Sequence, residues 1–483
     1  MNDIELLVKR SAITAAANLS TAVAPIVLLP LLTKTLTIED YGIWTLVVVT
    51  ASLLPMIVML GLPNALVRFF ASSKNADEIR EQYYSMALII LAADLFVSFL
   101  LLLLARPIAT YLLDNNYTLA LLLPAISFFA SYNYLPLAYF RTFQQARRFS
   151  RITFLQAILY VAFVGLFVAL GFGVVGAALG FLVMQVLVSI ISSYVVVSDI
   201  GISIPQLKRA KAHLNYSLPF IPRDLSSWAL NVSDRYIIGL FLGLAWVGYY
   251  SPGYTLGSML TLLAAPFTII LPSVMYQHYD ENNIVLVKSL IRYSLKYFLA
   301  MAIPCAFLVS VLAKPILTVL STRQIAEAGY AVTPFVAVSA VLLGVYAIIV
   351  IVLTLEKKTR IIGLTWIMAA GLNISLNLIF VRYFGIIVAA MTTLLAYAFV
   401  FAVTTFYSIR IVQFSFDGPF ILKSILASAI VSVLALMLHA SALLGLVASL
   451  AICGLIYVII LFALRSFAAN EIAFFRRFLP TGH

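Results

Sequence analysis

Charge is scarce in this 483-residue sequence: 10% of its residues are Asp, Glu, Lys or Arg, while 64% are hydrophobic. A soluble domain carries roughly 25% charged residues, so that class is excluded. Cysteine is almost absent. Cys305 and Cys453 both lie in apolar runs, which excludes a disulfide framework and leaves them as small core residues. The four histidines, His213, His278, His439 and His483, are scattered near segment ends. They show no metal-ligand spacing, so neither a metal nor any other cofactor is expected. Nucleotide-binding loops and nucleophile constellations are missing too, which argues against ATP hydrolysis within the chain and against an enzyme.

What is present is a succession of long apolar runs. Each is about 20 residues or longer, the length that crosses a bilayer, and they predict an all-α integral membrane protein with about 12–14 transmembrane helices. Among them, 42–67, 214–238 and 248–276 read as single spans. The first run, behind Lys9 and Arg10, is long enough to span and is read as a retained helix. Lys and Arg then alternate in density from loop to loop. If the N-terminus is inside, the outward loops hold only Lys34, Arg106, Lys314, Arg323 and Arg382. The positive-inside rule therefore predicts that both termini are cytoplasmic. The net charge of +12 reports this orientation. It forms no single patch with an aromatic platform, so no nucleic-acid partner is expected.

One stretch departs from the pattern. Leu214–Gly248 reads as a spanning helix, yet it holds Arg223, Asp224, Asp234 and Arg235. A charge at the bilayer centre costs roughly 2.5–3.5 kcal/mol on insertion scales, so this helix is expected to wall a polar cavity. A helix starting near Leu214 puts Arg223 about 13 Å in, close to the midplane. Arg223 then shares a face with Asp234. Asp224 shares the adjoining face with Trp228, Asn231 and Arg235. Pro219 and Pro222 interrupt the helix just before the charges.

Two readings of these residues stay open. Arg223 could grip a phosphate through its planar fork, or it could neutralise Asp94, the lone charge of the third span. Arg235 could bind substrate beside Asn231 and Trp228, or the Asp234–Arg235 pair could simply snorkel at the outer interface. Arg68 and Arg141, at the inner ends of their spans, are either phosphate receivers at the mouth or positive-inside anchors. Asp94, Asp224 and Asp234 are the carboxylates available for coupling to a proton or sodium gradient. For sugar contacts the sequence offers Trp228, Tyr132, Asn133, Tyr134, Tyr254, Asn373 and Asn377.

An internal repeat organises the chain. Leu36–Trp44 aligns with Leu242–Tyr250, setting Gly42 on Gly248, and Gly173–Ala178 aligns with Gly385–Ala390. This predicts six-helix lobes at 1–205 and 206–411, related by an axis along the bilayer normal. A helix pair and tail follow at 412–483. Two facing lobes leave a central cleft suited to alternating access.

The segments LLPLLTKTLTIEDYGIWTLVVVTASLL at 28–54, GLPNALVRFF at 61–70 and LPFIPRDLSSWALNVSDRYIIGLFLGLAWVGYYS at 218–251 resemble the polysaccharide biosynthesis flippases of the MATE-like superfamily, the O-antigen or Wzx-type translocases. The resemblance implies movement of an undecaprenyl-pyrophosphate-linked oligosaccharide across the bacterial inner membrane through a cation-lined cavity. It also implies membrane lipids and other polysaccharide assembly proteins as partners. The alternatives are a multidrug or cation exporter of the same superfamily and a peptidoglycan-precursor (lipid II) flippase. A glycan polymerase or ligase would need a sizeable outward loop, and the longest here, 314–329, holds little beyond Lys314, Arg323 and Glu327.

Overall fold

A computed structural model describes residues 3–70, 75–438, 442–467 and 471, with side chains from residue 13 onward. His439 and His483, which entered the reading above, lie outside the described residues. No strand occurs among those described. Among the described residues thirteen helices are long and apolar enough to cross a membrane, and the protein is a multi-pass membrane protein.

The first lobe runs through α1 (Asp3–Thr35), α2 (Ile38–Val58), α3 (Leu62–Phe70), α4 (Ala76–Leu103), α5 (Ala105–Leu112), α6 (Tyr117–Thr142), α7 (Ala146–Ala169) and α8 (Gly173–Ile200). The second is built from α9 (Ala210–Ser217), α10 (Ile221–Leu242), α11 (Leu244–Ser258), α12 (Ala265–Asp280), α13 (Ile284–Val311), α14 (Ala313–Leu320), α15 (Arg323–Gly329), α16 (Val332–Leu355), α17 (Thr359–Phe384) and α18 (Ile386–Val412). The pair α19 (Gly418–Met437) and α20 (Leu443–Ala463) follows. With 22 residues, α10 is also long enough to span, but its four charges set it apart from the thirteen.

The same packing occurs twice. In the first lobe α1 lies on α7, α7 and α6 on α8, and α2 and α4 on α6. In the second, α10 lies on α17, α17 and α16 on α18, and α11 and α13 on α16. Local detail repeats as well. Asn75 and Asn283 cap α4 and α13 by accepting from backbone N–H groups of the first turn, as short polar side chains do best. Each of those helices then turns at a leucine, Leu104 or Leu312, into an eight-residue helix with nearly the same sequence, ARPIATYL or AKPILTVL.

Three single spans expected from the sequence are broken. The run 42–67 ends as α2 at Val58, because Leu60 and Gly61 take positive φ (49° and 68°) and the chain restarts as α3. A side chain at Gly61 would also overlap the Ser217 carbonyl, so α3 meets α9 through a bare backbone. The run 214–238 is divided by a 3-10 turn over Leu218–Phe220, between α9 and α10, at Pro219 and Pro222. The run 248–276 extends to Leu244–Asp280 and tightens into a 3-10 segment at Met259–Ala264. The stretch 314–329, expected to face outward, is structured too, as most of α14 and α15.

Candidate functional site

The charges of α10 separate into two environments. Arg223 stands in the first turn, not deep inside a continuous helix, and its side chain is 47% exposed. Its Nε and Nη2 donate to Asp224 Oδ1 at 3.0 and 2.8 Å. The expected cross-cleft pair with Asp94 does not form. Asp94 is buried on α4 beside Ser131, and its Oδ2 has no hydrogen-bond partner.

Asp234 and Arg235 are not a snorkelling pair. Both are buried, because α11 covers them with two tyrosines. Arg235 Nη1 donates to Asp234 Oδ1 at 2.9 Å and to the Asn231 carbonyl at 2.8 Å. The Tyr250 hydroxyl donates to Asp234 Oδ2. The guanidinium lies 4.1 Å from the Tyr254 ring centroid, a cation–π contact strengthened by desolvation. Tyr397 of α18 donates to Asn231 Oδ1 at 2.6 Å, so the network ties α10 to α11 and α18.

Other expected sugar contacts are also committed internally. Trp228 Nε1 donates to Ser52 Oγ of α2 at 3.0 Å. Asn373 and Asn377 form a buried ladder with Thr392 and Thr393 between α17 and α18. Arg68 is exposed in the last turn of α3.

Space for a ligand lies elsewhere. A cavity of about 340 Å³ lies in the first lobe, among α1, α2, α6, α7 and α8. A second, about 210 Å³, adjoins it at Tyr134 and reaches Asp224 and Ser227 of α10. The two cavities therefore join groups from both lobes. Arg141 lines the larger one and lies 5.7 Å from the Phe149 ring centroid. It has no carboxylate partner among the described residues.

Around Arg141 the lining is rich in amides: Asn18, Asn133, Gln156 and Gln185. Asn133 Nδ2 donates to Gln185 Oε1 at 2.9 Å, and Ser189 Oγ donates to Asn133 Oδ1, which fixes one wall. Thr153 Oγ1 also lines the cavity and is buried with no partner. A cation, an unsatisfied hydroxyl and several amides in one recess suit a ligand that carries both anionic and hydroxyl groups. Sequence reasoning missed Asn18, Gln156 and Gln185. The signal was available, since a lone amide inside an apolar span needs a partner.

Comparison with known proteins places this arrangement. A family model described as polysaccharide biosynthesis protein matches residues 7–275. Over 195 residues the chain is 27% identical to the "Probable low-salt glycan biosynthesis flippase Agl15" of Haloferax volcanii, a match covering 40% of this chain and 41% of that protein. The match thus spans less than half of that relative.

Among solved structures, the lipid II flippase MurJ in an inward closed conformation superposes with a TM-score of 0.70 at 17% identity, covering 95% of this chain and 97% of that one. An inward-facing multidrug resistance MATE family transporter of the MOP superfamily gives 0.63 at 18% identity, covering 83% and 96%. A MOP superfamily transporter from Pyrococcus furiosus with a binding pocket of reverse polarity gives 0.59 at 16%, covering 86% and 98%. At such identities the superpositions establish the fold, and the relatives are flippases and transporters, not catalysts. Sequence family and architecture agree: the chain belongs to the polysaccharide biosynthesis protein family and has the two-lobed fold of the MOP transporters.

Proposed function

We propose that this protein flips an undecaprenyl-pyrophosphate-linked oligosaccharide, an O-antigen or related surface-polysaccharide unit, across the bacterial inner membrane by alternating access. The observation that carries the reading is Arg141, a cation without a carboxylate partner among the described residues, facing a cavity of amides and an unsatisfied hydroxyl. Its planar fork matches a pyrophosphate oxygen pair. Asn18, Gln156 and Gln185 suit the sugar hydroxyls behind it. Arg223, half exposed on its Asp224 partner at the neighbouring cavity, exchanges that partner for the second phosphate. The basic ends of the helices face the cytoplasm, so the headgroup enters beside Arg141 at the inner end of α6.

The experiment is translocation in proteoliposomes loaded with the lipid-linked oligosaccharide, read by an impermeant enzyme that reports exposed headgroups. Arg141→Ala is expected to lower the initial rate about 30-fold or more, as loss of a charge-assisted contact worth about 2 kcal/mol or above. Arg141→Lys keeps the charge without the fork and is expected to retain part of the rate. Unchanged flipping in Arg141→Ala removes this site. Movement of a cationic dye without movement of the lipid overturns the function itself.

Coupling falls to Asp94 under the same proposal. Asp224 and Asp234 are each held by a neighbouring arginine, whereas Asp94 is buried without a cation. Asp94→Asn is expected to leave a folded protein that still flips downhill but no longer accelerates when a pH gradient is imposed. An undiminished response to the gradient rules Asp94 out as the carrier.

A further inference from the structure

A third cavity lies away from the cleft, at the basic end of the bundle where α13 meets α19 and the chain that follows α20. It measures about 450 Å³. Four cations line it, Arg292, Lys296, Lys423 and Arg465, against two carboxylates, Asp417 and Glu471. The carboxylates are already engaged. Glu471 accepts from Lys296 Nζ at 2.8 and 3.1 Å. Asp417 caps α19 by accepting from Phe420 N, and lies 3.8 Å from Lys296 and 4.0 Å from Arg292.

The surplus positive charge therefore rests on Lys423 and Arg465. Lys423 donates to the Leu464 carbonyl at 2.8 Å and keeps two further N–H donors. Arg465 has no carboxylate partner among the described residues. Ser466 Oγ, also on the wall, is buried with no hydrogen-bond partner. Phe420 and Phe467 hold Lys296 from the apolar side, at 5.1 and 5.4 Å from Nζ.

The surroundings decide what enters. Beginning one residue before Lys423, α19 turns an apolar stripe outward: Leu422, Leu426, Ile430, Val433 and Met437 are 53–69% exposed. Their spacing of three and four residues keeps them on one face. An anion pocket that opens at the end of such a stripe fits an amphiphile whose phosphate enters the cavity while its chains lie along the helix. Basic pockets between transmembrane helices bind acidic headgroups in this manner.

We infer that this cavity is a binding site for the phosphodiester headgroup of an anionic phospholipid, separate from the transport cleft. Such a lipid would bind whatever the cleft carries.

The test uses the full-length protein in detergent, read by native mass spectrometry and by its thermal unfolding midpoint. The probes are short-chain phosphatidylglycerol, phosphatidylcholine of the same chain length, and inorganic phosphate. Phosphatidylglycerol is expected to remain bound and to raise the midpoint, with the other two giving no shift at equal concentration. Arg465→Gln is expected to weaken phosphatidylglycerol about fivefold, the equivalent of about 1 kcal/mol per basic residue. Adding Lys423→Gln weakens it further. If the double variant does not fold, Arg465→Gln alone decides, because its side chain has no carboxylate to lose. Equal retention of phosphatidylcholine, an equal effect of inorganic phosphate, or unaltered binding by Arg465→Gln each overturns the site.

Discussion

Arg235→Ala is expected to destabilise the protein by about 3–5 kcal/mol, because it strands a carboxylate in the interior. Asp234 is 1% exposed and has three donors: the Arg235 guanidinium, the Arg235 backbone N–H and the Tyr250 hydroxyl. Removal of the guanidinium leaves the last two, which cannot neutralise the charge. It also frees the Asn231 carbonyl and uncovers the Tyr254 ring. Arg235→Lys retains a charge but cannot reach the carboxylate and the carbonyl with one rigid fork, so an intermediate loss is expected. The double change Asp234→Asn with Arg235→Met removes both charges at similar volume and should recover most of the stability. Detergent-solubilised unfolding midpoints for the wild type, Asp234→Asn alone, Arg235→Met alone and the double variant form a cycle that isolates the coupling. A wild-type midpoint in Arg235→Ala contradicts the interior role. Loss of transport at full stability instead gives Arg235 the substrate contact that the sequence suggested.

The contrast between Arg235 and Arg223 marks where sequence reading stopped. Both stood out for one reason, charge in an apolar segment, and composition made the membrane class and the succession of helices plain. Helical periodicity alone could not say which charge is covered. That depended on Tyr250 and Tyr254, which arrive from the next helix, and on Pro219 and Pro222, which end the preceding segment and leave Arg223 in a first turn. Arg141 was visible as a cation at a helix end, where an anchor and a ligand look alike. Only the tertiary packing brings α7 and α8 against it with Gln156 and Gln185. The repeat was legible at Gly42 and Gly248, yet its clearest trace, ARPIATYL against AKPILTVL, lay unread in short helices that are neither spans nor obvious loops.

Those two glycines carry the last expectation. Where the lobes meet through α2 and α11, a side chain on Gly42 would overlap the Leu244 carbonyl oxygen, and one on Gly248 would overlap the Ile38 carbonyl oxygen. Under the alignment that sets Gly42 on Gly248, Ile38 falls on Leu244. Each glycine thus touches the counterpart of its own neighbour, as an isologous contact about a pseudo-two-fold axis requires. Such a contact closes only while both backbones can approach. Gly42→Val is therefore expected to disfavour the joined arrangement by about 1–3 kcal/mol, the usual cost of overpacking, and Gly248→Val by a similar amount. In the orientation that the positive-inside rule predicts, the joined end lies opposite the basic one, so both variants should hold the lobes apart there and slow the return of the empty carrier. A cysteine pair introduced across α2 and α11, with Cys305 and Cys453 replaced by serine, reads the approach directly as disulfide yield. Each valine should lower that yield about fivefold or more, the ratio that 1 kcal/mol sets, and transport should fall with it. Equal yields in wild type and both variants would show that the lobes do not meet through these glycines. A large loss in one variant alone would deny the two-fold relation while leaving the contact in place.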